Sequence, residues 1–284
     1  MNHVNNTVAG TVVLFNPVNE VFDEISSYVN QLGRLYIIDN SIHYNNSLIE
    51  KLSKFDKVVY VDNKGNQGIA AALNRGAQLA LQDGFRFLLT MDQDTSLSGT
   101  FVSNLMKGVI ENDASQIGII APRYSPRSSK QVDRFQRVLF TMTSGNILNL
   151  SVYEKVGPFL EELFIDHVDH EYCLRLNKLG FKVIQDNMEE IIHRPGTLRT
   201  VSARLSFSAH SPTRLYYFTR NGFYISKMYE NDFPVFKRTF LKLLLKEIAK
   251  IPFEDSKMLR LRMIVKAFED CKRKRFGAIG AINR

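Results

Sequence analysis

FRFLLTMDQDT, residues Phe85 to Thr95, is the stretch from which the fold can be read. Phe85 to Met91 is apolar apart from Arg86 and Thr90, and Gly84 bounds it upstream. It is too short for a helix and rich in β-formers, so it reads as a short buried strand. The strand opens directly into Asp92-Gln93-Asp94, which places two carboxylates two residues apart at its end. Two readings fit this segment by itself. The acids hold a hard divalent cation that shares its shell with substrate phosphates, or they occupy favoured positions of a solvated turn.

Working outward, Thr11–Phe15 reads as a first buried strand, ended by the breaker pair Asn16-Pro17. Phe22, Ile25, Val29 and Leu32 carry helical spacing. Leu35–Ile38 is a second strand with Asp39-Asn40-Ser41 at its carboxyl end, and Val58–Val61 is a third. Gly65-Asn66-Gln67-Gly68 then opens a helix striped by Ile69, Ala72, Leu73 and Ala80. It lacks G-x-G-x-x-G spacing, and its glycines instead permit a tight turn and a close backbone approach to a ligand. Phe101–Ile110 reads as a further helix. This alternation predicts an α/β fold with a mostly parallel sheet and right-handed crossovers. Ligands of such sheets bind beyond the carboxyl ends of the strands. Asp39, Asn66, Asp92 and Asp94 all lie just past predicted strand ends; for Asp39 a helix cap or Asx turn also fits. Ser125–Arg137 reads as a loop and Val138–Phe140 as a short strand. Thr143–Asn146 reads as a small-residue turn, either plain or open to the close approach of a ligand.

Phe164–Arg175 gathers Asp166, Asp169 and Glu171, with His167 and His170 between them. Leu174, Leu176 and Leu179 continue a helix to Gly180, a C-cap. Asp169 falls near that helix's amino end, where the dipole keeps a carboxylate ionised; capping alone also accounts for an Asp there. His167 and His170 are expected as helix-start or surface residues. His193 follows Ile191-Ile192 and precedes Pro195-Gly196, and serves as either a packed residue or a ligand. Arg214, Tyr216, Tyr217, Arg220 and Asn221 recur at helical spacing. Aromatic rings stack on sugars and Arg forks grip diphosphates, whereas the plain alternative is an amphipathic helix with its tyrosines in the core.

With 284 residues, 32.6 kDa and 44% hydrophobic content, the chain can bury one substantial core with an appendage. No run reaches the ~18 apolar residues of a membrane span, and the amino terminus lacks signal-peptide features. Cys173 and Cys271 are the only cysteines, so no disulfide framework or cysteine zinc site is implied. A cytoplasmic protein is expected, and the Asn-x-Ser/Thr matches at Asn5, Asn45 and Asn149 are then coincidental. Residues 234–284 hold 14 Lys+Arg against 5 Asp+Glu, whereas the preceding residues hold 23 against 24. The tail therefore supplies the basic balance and points to an anionic partner. Phe236, Phe240, Leu241, Leu244, Ile248 and Ile251 share one helical face, with Arg238, Lys242, Lys246 and Lys250 opposite. Met258–Phe268 is likewise apolar and basic. That is the pattern of a helix lying on an anionic bilayer; a helix packed on the preceding domain is the alternative. No nucleic-acid motif accompanies the charge, so nucleic acid is not expected as a partner.

Seven stretches carry a resemblance: VVLFNP at Val12–Pro17, IIDNS at Ile37–Ser41, NQGIAAALN at Asn66–Asn74, MDQDT at Met91–Thr95, TSGN at Thr143–Asn146, FIDHVDHEYCLR at Phe164–Arg175 and RLYYFTRN at Arg214–Asn221. In this order the chain resembles a family 2 glycosyltransferase of the GT-A fold, nearest the bacterial rhamnosyltransferase-like branch. The resemblance implies a GT-A catalytic domain over residues 1–225 and a helical, basic, amphipathic region over 226–284. It implies an inverting transferase of cell-surface polysaccharide biosynthesis, with dTDP-L-rhamnose or a UDP-sugar as donor. The acceptor would be a saccharide or a polyprenyl-diphosphate-linked saccharide, and the protein would sit peripherally on the inner face of the plasma membrane. Asp39 is expected on the nucleotide base, with Asn66, Asp92 and Arg220 also on the nucleotide sugar. Asp94 and His193 are expected on Mg²⁺ or Mn²⁺, and Asp169 as catalytic base. Asp166, Glu171, Arg214 and Tyr217 would serve the acceptor or secondary roles. The family's acid pattern is more often Glu-Asp-x-Asp; here Val168 and Glu171 flank Asp169, as in the rhamnosyltransferase-like branch. Two other functions fit the sequence less well. A nucleotidyltransferase calls for a basic, glycine-rich loop after the first strand, which Asn16-Pro17-Val18-Asn19 does not provide. A non-catalytic membrane scaffold has no use for intact acids at 92, 94 and 169.

Overall fold

The computed structural model of the chain describes residues 7–124, 133–191, 198–202, 205–208 and 211–280. They form two compact units, one of Met1–Phe159 with Tyr172–His193 and one of Leu160–Glu171 with Arg194–Arg284.

In the first unit the strands are β1 (Val8–Leu14), β2 (Arg34–Asp39), β3 (Val58–Asp62), β4 (Phe87–Asp92), β5 (Ile117–Arg123), β6 (Phe135–Arg137), β7 (Asn146–Asn149) and β8 (Lys182–Glu190). They make one sheet in the order β3-β2-β1-β4-β7-β5-β8-β6. β3, β2, β1 and β4 are mutually parallel, as are β5 and β8, whereas β7 and β6 run antiparallel to their neighbours. The helices are α1 (Val21–Ser26), α2 (Asn46–Leu52), α3 (Ile69–Gln82), α4 (Phe101–Glu111) and α5 (Leu150–Val156), with α6 (Val168–Lys178) spanning the division between units. β1, β2 and β4 are almost wholly buried, in keeping with strands covered by helices on crossover connections. α3 lies close on β1: a Cβ at Gly76 would stand 2.2 Å from Thr11 Oγ1, so only glycine fits that contact.

Three local readings of the sequence are corrected. The helix expected over Phe22–Leu32 stops at Ser26 and resumes as a 3-10 turn at Val29–Gln31. Ser26 Oγ and Ser27 Oγ donate to the carbonyls of Phe22 and Glu24, drawing acceptors away from a continuing helix. The end of the expected 125–137 loop, Phe135–Arg137, is a strand paired with β8. Val138–Phe140, expected as a strand, is not one.

The second unit holds a two-stranded hairpin of β9 (Leu198–Ser202) and β10 (Leu205–Ser208), then α7 (Pro212–Met228), α8 (Pro234–Lys250) and α9 (Lys257–Lys272). α7 starts where Ser211 Oγ accepts from Arg214 N, with Pro212 in the first turn. Residue 225, the expected domain limit, lies inside this helix. α8 and α9 both pack on α7. At Gly222 a Cβ would stand 2.0 Å from the Phe240 ring, which fixes how closely α8 approaches. Tyr216 donates to Asp270 at 2.8 Å, and Lys266 does so at 2.7 Å. Burial, followed by that carboxylate, pushes the Tyr216 phenol up to about 12. Among the described residues no helix is long and apolar enough to cross a membrane.

Candidate active site

Parallel pairing sets the carboxyl edge of the first unit. Leu14 pairs with Asp39 and Asp39 with Asp62, so those two carboxylates stand level, while Val13 pairs with Asp92, which puts the third one residue short of that row at the end of β4. β1 is where the strand order reverses, since β2 and β3 lie on one side of it and β4 on the other. Crevices at such reversals are where open α/β sheets bind ligands.

Asp39 is fully buried. A buried carboxylate is costly unless donors satisfy it; here Ser41 N donates to Oδ1 and Tyr60 Oη to Oδ2, both at 2.8 Å. Burial and this bond push the Tyr60 phenol above the usual tyrosine range. Asp62 accepts from Lys64 Nζ at 2.7 Å, Lys64 N at 2.8 Å and Tyr44 Oη at 3.0 Å, and these bonds hold its carboxyl below the usual carboxylate range. Asn66 is exposed and accepts from Gly68 N at 3.0 Å, forming the turn that enters α3.

The loop after β4 is braced from two sides. Gln93 Oε1 accepts from Phe15 N at 2.8 Å and Gln93 Nε2 donates to Phe15 O at 3.3 Å, tying it to the exit of β1. Ser144 Oγ accepts from Asp92 N and donates to Thr95 Oγ1, both at 3.1 Å. The Thr143–Asn146 turn therefore supports the acid loop, with Ser144 itself buried. Asp92 is half-buried. Asp94 is exposed and takes no hydrogen bond or ion pair among the described residues. The two carboxylates are hard oxygen donors of the kind that would hold Mg²⁺ or Mn²⁺. Among the described residues no three or more His, Cys, Asp and Glu groups cluster around one metal position, and His193 lies outside the described residues.

The acids of the second unit stand on a turn of unusual backbone. Phe164, Asp166 and His167 have φ of +65°, +62° and +62°. Each such non-glycine residue costs about 1–3 kcal/mol and persists only where its surroundings impose it. Asp169 follows in the first turn of α6, accepting from His170 N at 2.8 Å and lying 3.9 Å from His170 Nδ1. Asp166 accepts from Arg214 Nε at 3.1 Å.

Four expectations change here. His167 is buried, stacked on Phe218 and edged by Phe236 and Phe240, with its Nδ1 2.9 Å from His170 Nδ1. Burial, and then His170, hold it well below the usual histidine range, so the ring is neutral. Glu171 is buried and accepts from Tyr229 Oη at 2.8 Å, which makes it part of the packing. Tyr217 is buried against Phe164 and its Oη accepts from Ile279 N at 2.7 Å. Arg220 does not present a fork to a diphosphate: it is 1% exposed and donates to the carbonyls of Glu162, Leu163 and Gly277. Sequence reasoning missed Tyr60, Gln93 and Ser144. Tyr60 shares a strand face with Asp62 two residues on, but only the strand register reveals that it meets Asp39.

Residues 27–164 match the family described as Glycosyl transferase family 2. The chain is 28% identical over 241 residues to the dTDP-rhamnosyl transferase RfbF of Shigella flexneri, covering 78% of this chain and 80% of that protein. Among solved structures, S. aureus TarS 1-349 in complex with UDP-GlcNAc is similar with a TM-score of 0.61 and 12% identity, over 93% of this chain and 80% of that one. GalNAc-T7 with UDP, GalNAc and Mn²⁺ is similar with a TM-score of 0.60 and 14% identity, over 94% of this chain and 54% of that one. At these identities the solved structures speak to the fold, which is GT-A-like. The chain thus carries a Glycosyl transferase family 2 region and is similar, over most of its length, to a dTDP-rhamnosyl transferase, which supports a glycosyltransferase that is rhamnosyltransferase-like.

The buried imidazole makes a pH prediction. Its folded pKa lies below the ~6.5 of an unfolded histidine, so His167 contributes stability that is present above that pH and lost as pH falls through the lowered value. The slope is at most about 1.4 kcal/mol per pH unit for one proton. Melting temperature followed from pH 7.5 down to 5 should fall less steeply for His167→Phe than for the natural chain; parallel curves would contradict the assignment.

Proposed function

We propose that the protein is an inverting rhamnosyltransferase that takes dTDP-L-rhamnose and delivers the sugar to a saccharide or polyprenyl-diphosphate-linked saccharide. The observation that carries this reading is the gathering of Asp39, Asp62 and Asp92 at the carboxyl ends of β2, β3 and β4, around the sheet's reversal point, with Asp94 exposed beyond them. The identity to a dTDP-rhamnosyl transferase supports the donor. Asp39, held by Tyr60, orients the thymine base. Asp92 and Asp94 hold Mg²⁺ or Mn²⁺, which when bound neutralises charge growing on the leaving diphosphate. Asp169 accepts the proton of the acceptor hydroxyl as that oxygen attacks the anomeric carbon opposite the departing dTDP. His193 is retained as a further metal ligand, and Asp166 with Arg214 as acceptor-side groups.

The acceptor's chemistry goes with a peripheral position on the cytoplasmic face of an anionic membrane. Burial moves the contact face from the one expected. Phe236, Phe240, Leu244 and Ile251 are inside the second unit. Leu241 and Ile248 of the expected face, Leu245 beside them, and Met258, Leu261, Val265 and Phe268 on α9 are 37–65% exposed. The last four fall at i, i+3, i+7 and i+10, one stripe of a helix, with Arg262 and Lys266 beside it. Tails with this net positive charge repel each other, so anionic headgroups match the stripe better than a second copy does.

Two measurements follow. Calorimetry with dTDP should show affinity that rises with Mn²⁺ in the natural chain and is indifferent to Mn²⁺ in Asp94→Ala; undiminished metal dependence would remove Asp94 from the metal. Sedimentation with phosphatidylglycerol-containing vesicles should carry the natural chain down and leave Leu261→Glu/Val265→Glu/Phe268→Glu in solution. Co-sedimentation of both would make the stripe irrelevant to the membrane.

A further inference from the structure

The strained turn ahead of Asp169 is gripped by two adjacent residues of α7. Arg220 Nη2 donates to the carbonyls of Glu162 and Leu163 at 3.2 and 3.1 Å. Asn221 Nδ2 lies 2.8, 2.8 and 2.9 Å from the carbonyls of Leu163, Ile165 and Asp166. Arg220 Nε donates to Asn221 Oδ1 at 2.9 Å, and since a guanidinium only donates, this bond fixes which way the amide faces. Both side chains are almost wholly buried, and the guanidinium also lies over the rings of Tyr216, Tyr217 and Phe276. The gripped carbonyls bracket Phe164 and reach Asp166, two of the three residues with left-handed backbone, and α6 starts two residues after Asp166.

We infer that Arg220 and Asn221 are positioning residues for the transfer reaction: they hold the Glu162–His167 turn in its left-handed path, and the turn in turn sets where the Asp169 carboxylate stands. The inference rests on Asp169 as the base. A carboxylate must meet the attacking hydroxyl within hydrogen-bond reach to remove its proton, and a shift of about 1 Å at a reacting group can cost 10²-fold in rate. A turn built from three left-handed non-glycine residues relaxes once its imposed partners are lost. Asn221 Nδ2 brings two N–H donors within reach of three of its carbonyls, and no alkyl side chain can replace them. Lysine at 220 keeps a charge over the rings but loses the planar fork that reaches two carbonyls and Asn221 together.

The test uses the full chain and dTDP-L-rhamnose with water as acceptor, scoring dTDP release per dTDP-binding site counted by calorimetry. Asn221→Ala, Asp169→Asn and the double variant form a cycle. Asn221→Ala should lower kcat at least ten-fold with dTDP affinity unchanged, and should add no further loss in the Asp169→Asn background. Wild-type kcat per binding site in Asn221→Ala, or the same fold-loss in both backgrounds, overturns the inference alone. Near-wild-type turnover in Asp169→Asn overturns the base reading and this inference with it. If Asn221→Ala does not fold, Arg220→Lys enters the same cycle with the same outcomes.

Discussion

The site depends on the cost of putting carboxylates at the ends of buried parallel strands. A carboxylate taken out of water without donors is costly, and Asp39 is fully out of water. Its two oxygens are met by a backbone amide two residues on and by a tyrosine from the next strand. The tyrosine reaches the carboxylate only while β2 and β3 keep their register, so the position of the candidate base-binding acid and the order of the sheet edge depend on each other. Asp94 illustrates the opposite condition. It lies beyond the strand in solvent, and so remains open to a cation.

Bracing of the loops extends this logic. Gln93 ties the exits of β1 and β4, and Asn16, at φ +46°, accepts from Ile42 N and His43 N beyond β2. Three loops from three strands are thereby cross-linked by side-chain amides, which order the segments bearing Asp39, Asp92 and Asp94. The second unit uses the same device more tightly, with Asn221 and Arg220 on the carbonyls ahead of Asp169. In both places neutral amides and one guanidinium hold the backbone of the segments that carry the acids.

Much of this was legible in the sequence. Apolar runs of strand length ending in Asp39 and Asp92 locate β2 and β4, and Gly65–Gly68 locates the start of α3, because burial and turn chemistry act on neighbouring residues. What could not be read depends on partners far along the chain. Arg220 and Tyr217 looked like ligand-binding groups because an Arg fork and a ring suit a diphosphate and a sugar as well as they suit carbonyls and Phe164. His167, read as a helix-start or surface residue, does stand at the start of α6, but its burial was not legible because the aromatic rings that cover it come from 218, 236 and 240. The tail's period was correct, yet period alone does not say which part of a broad apolar face is already covered by the protein.

The most direct measurement is a crystal structure of the protein with dTDP and Mn²⁺. The account predicts thymine against Asp39 beside Tyr60, and Mn²⁺ on Asp94 bridging to the diphosphate. Nucleotide bound away from the carboxyl ends of β1, β2 and β4, or Mn²⁺ held without Asp92 or Asp94, would contradict it.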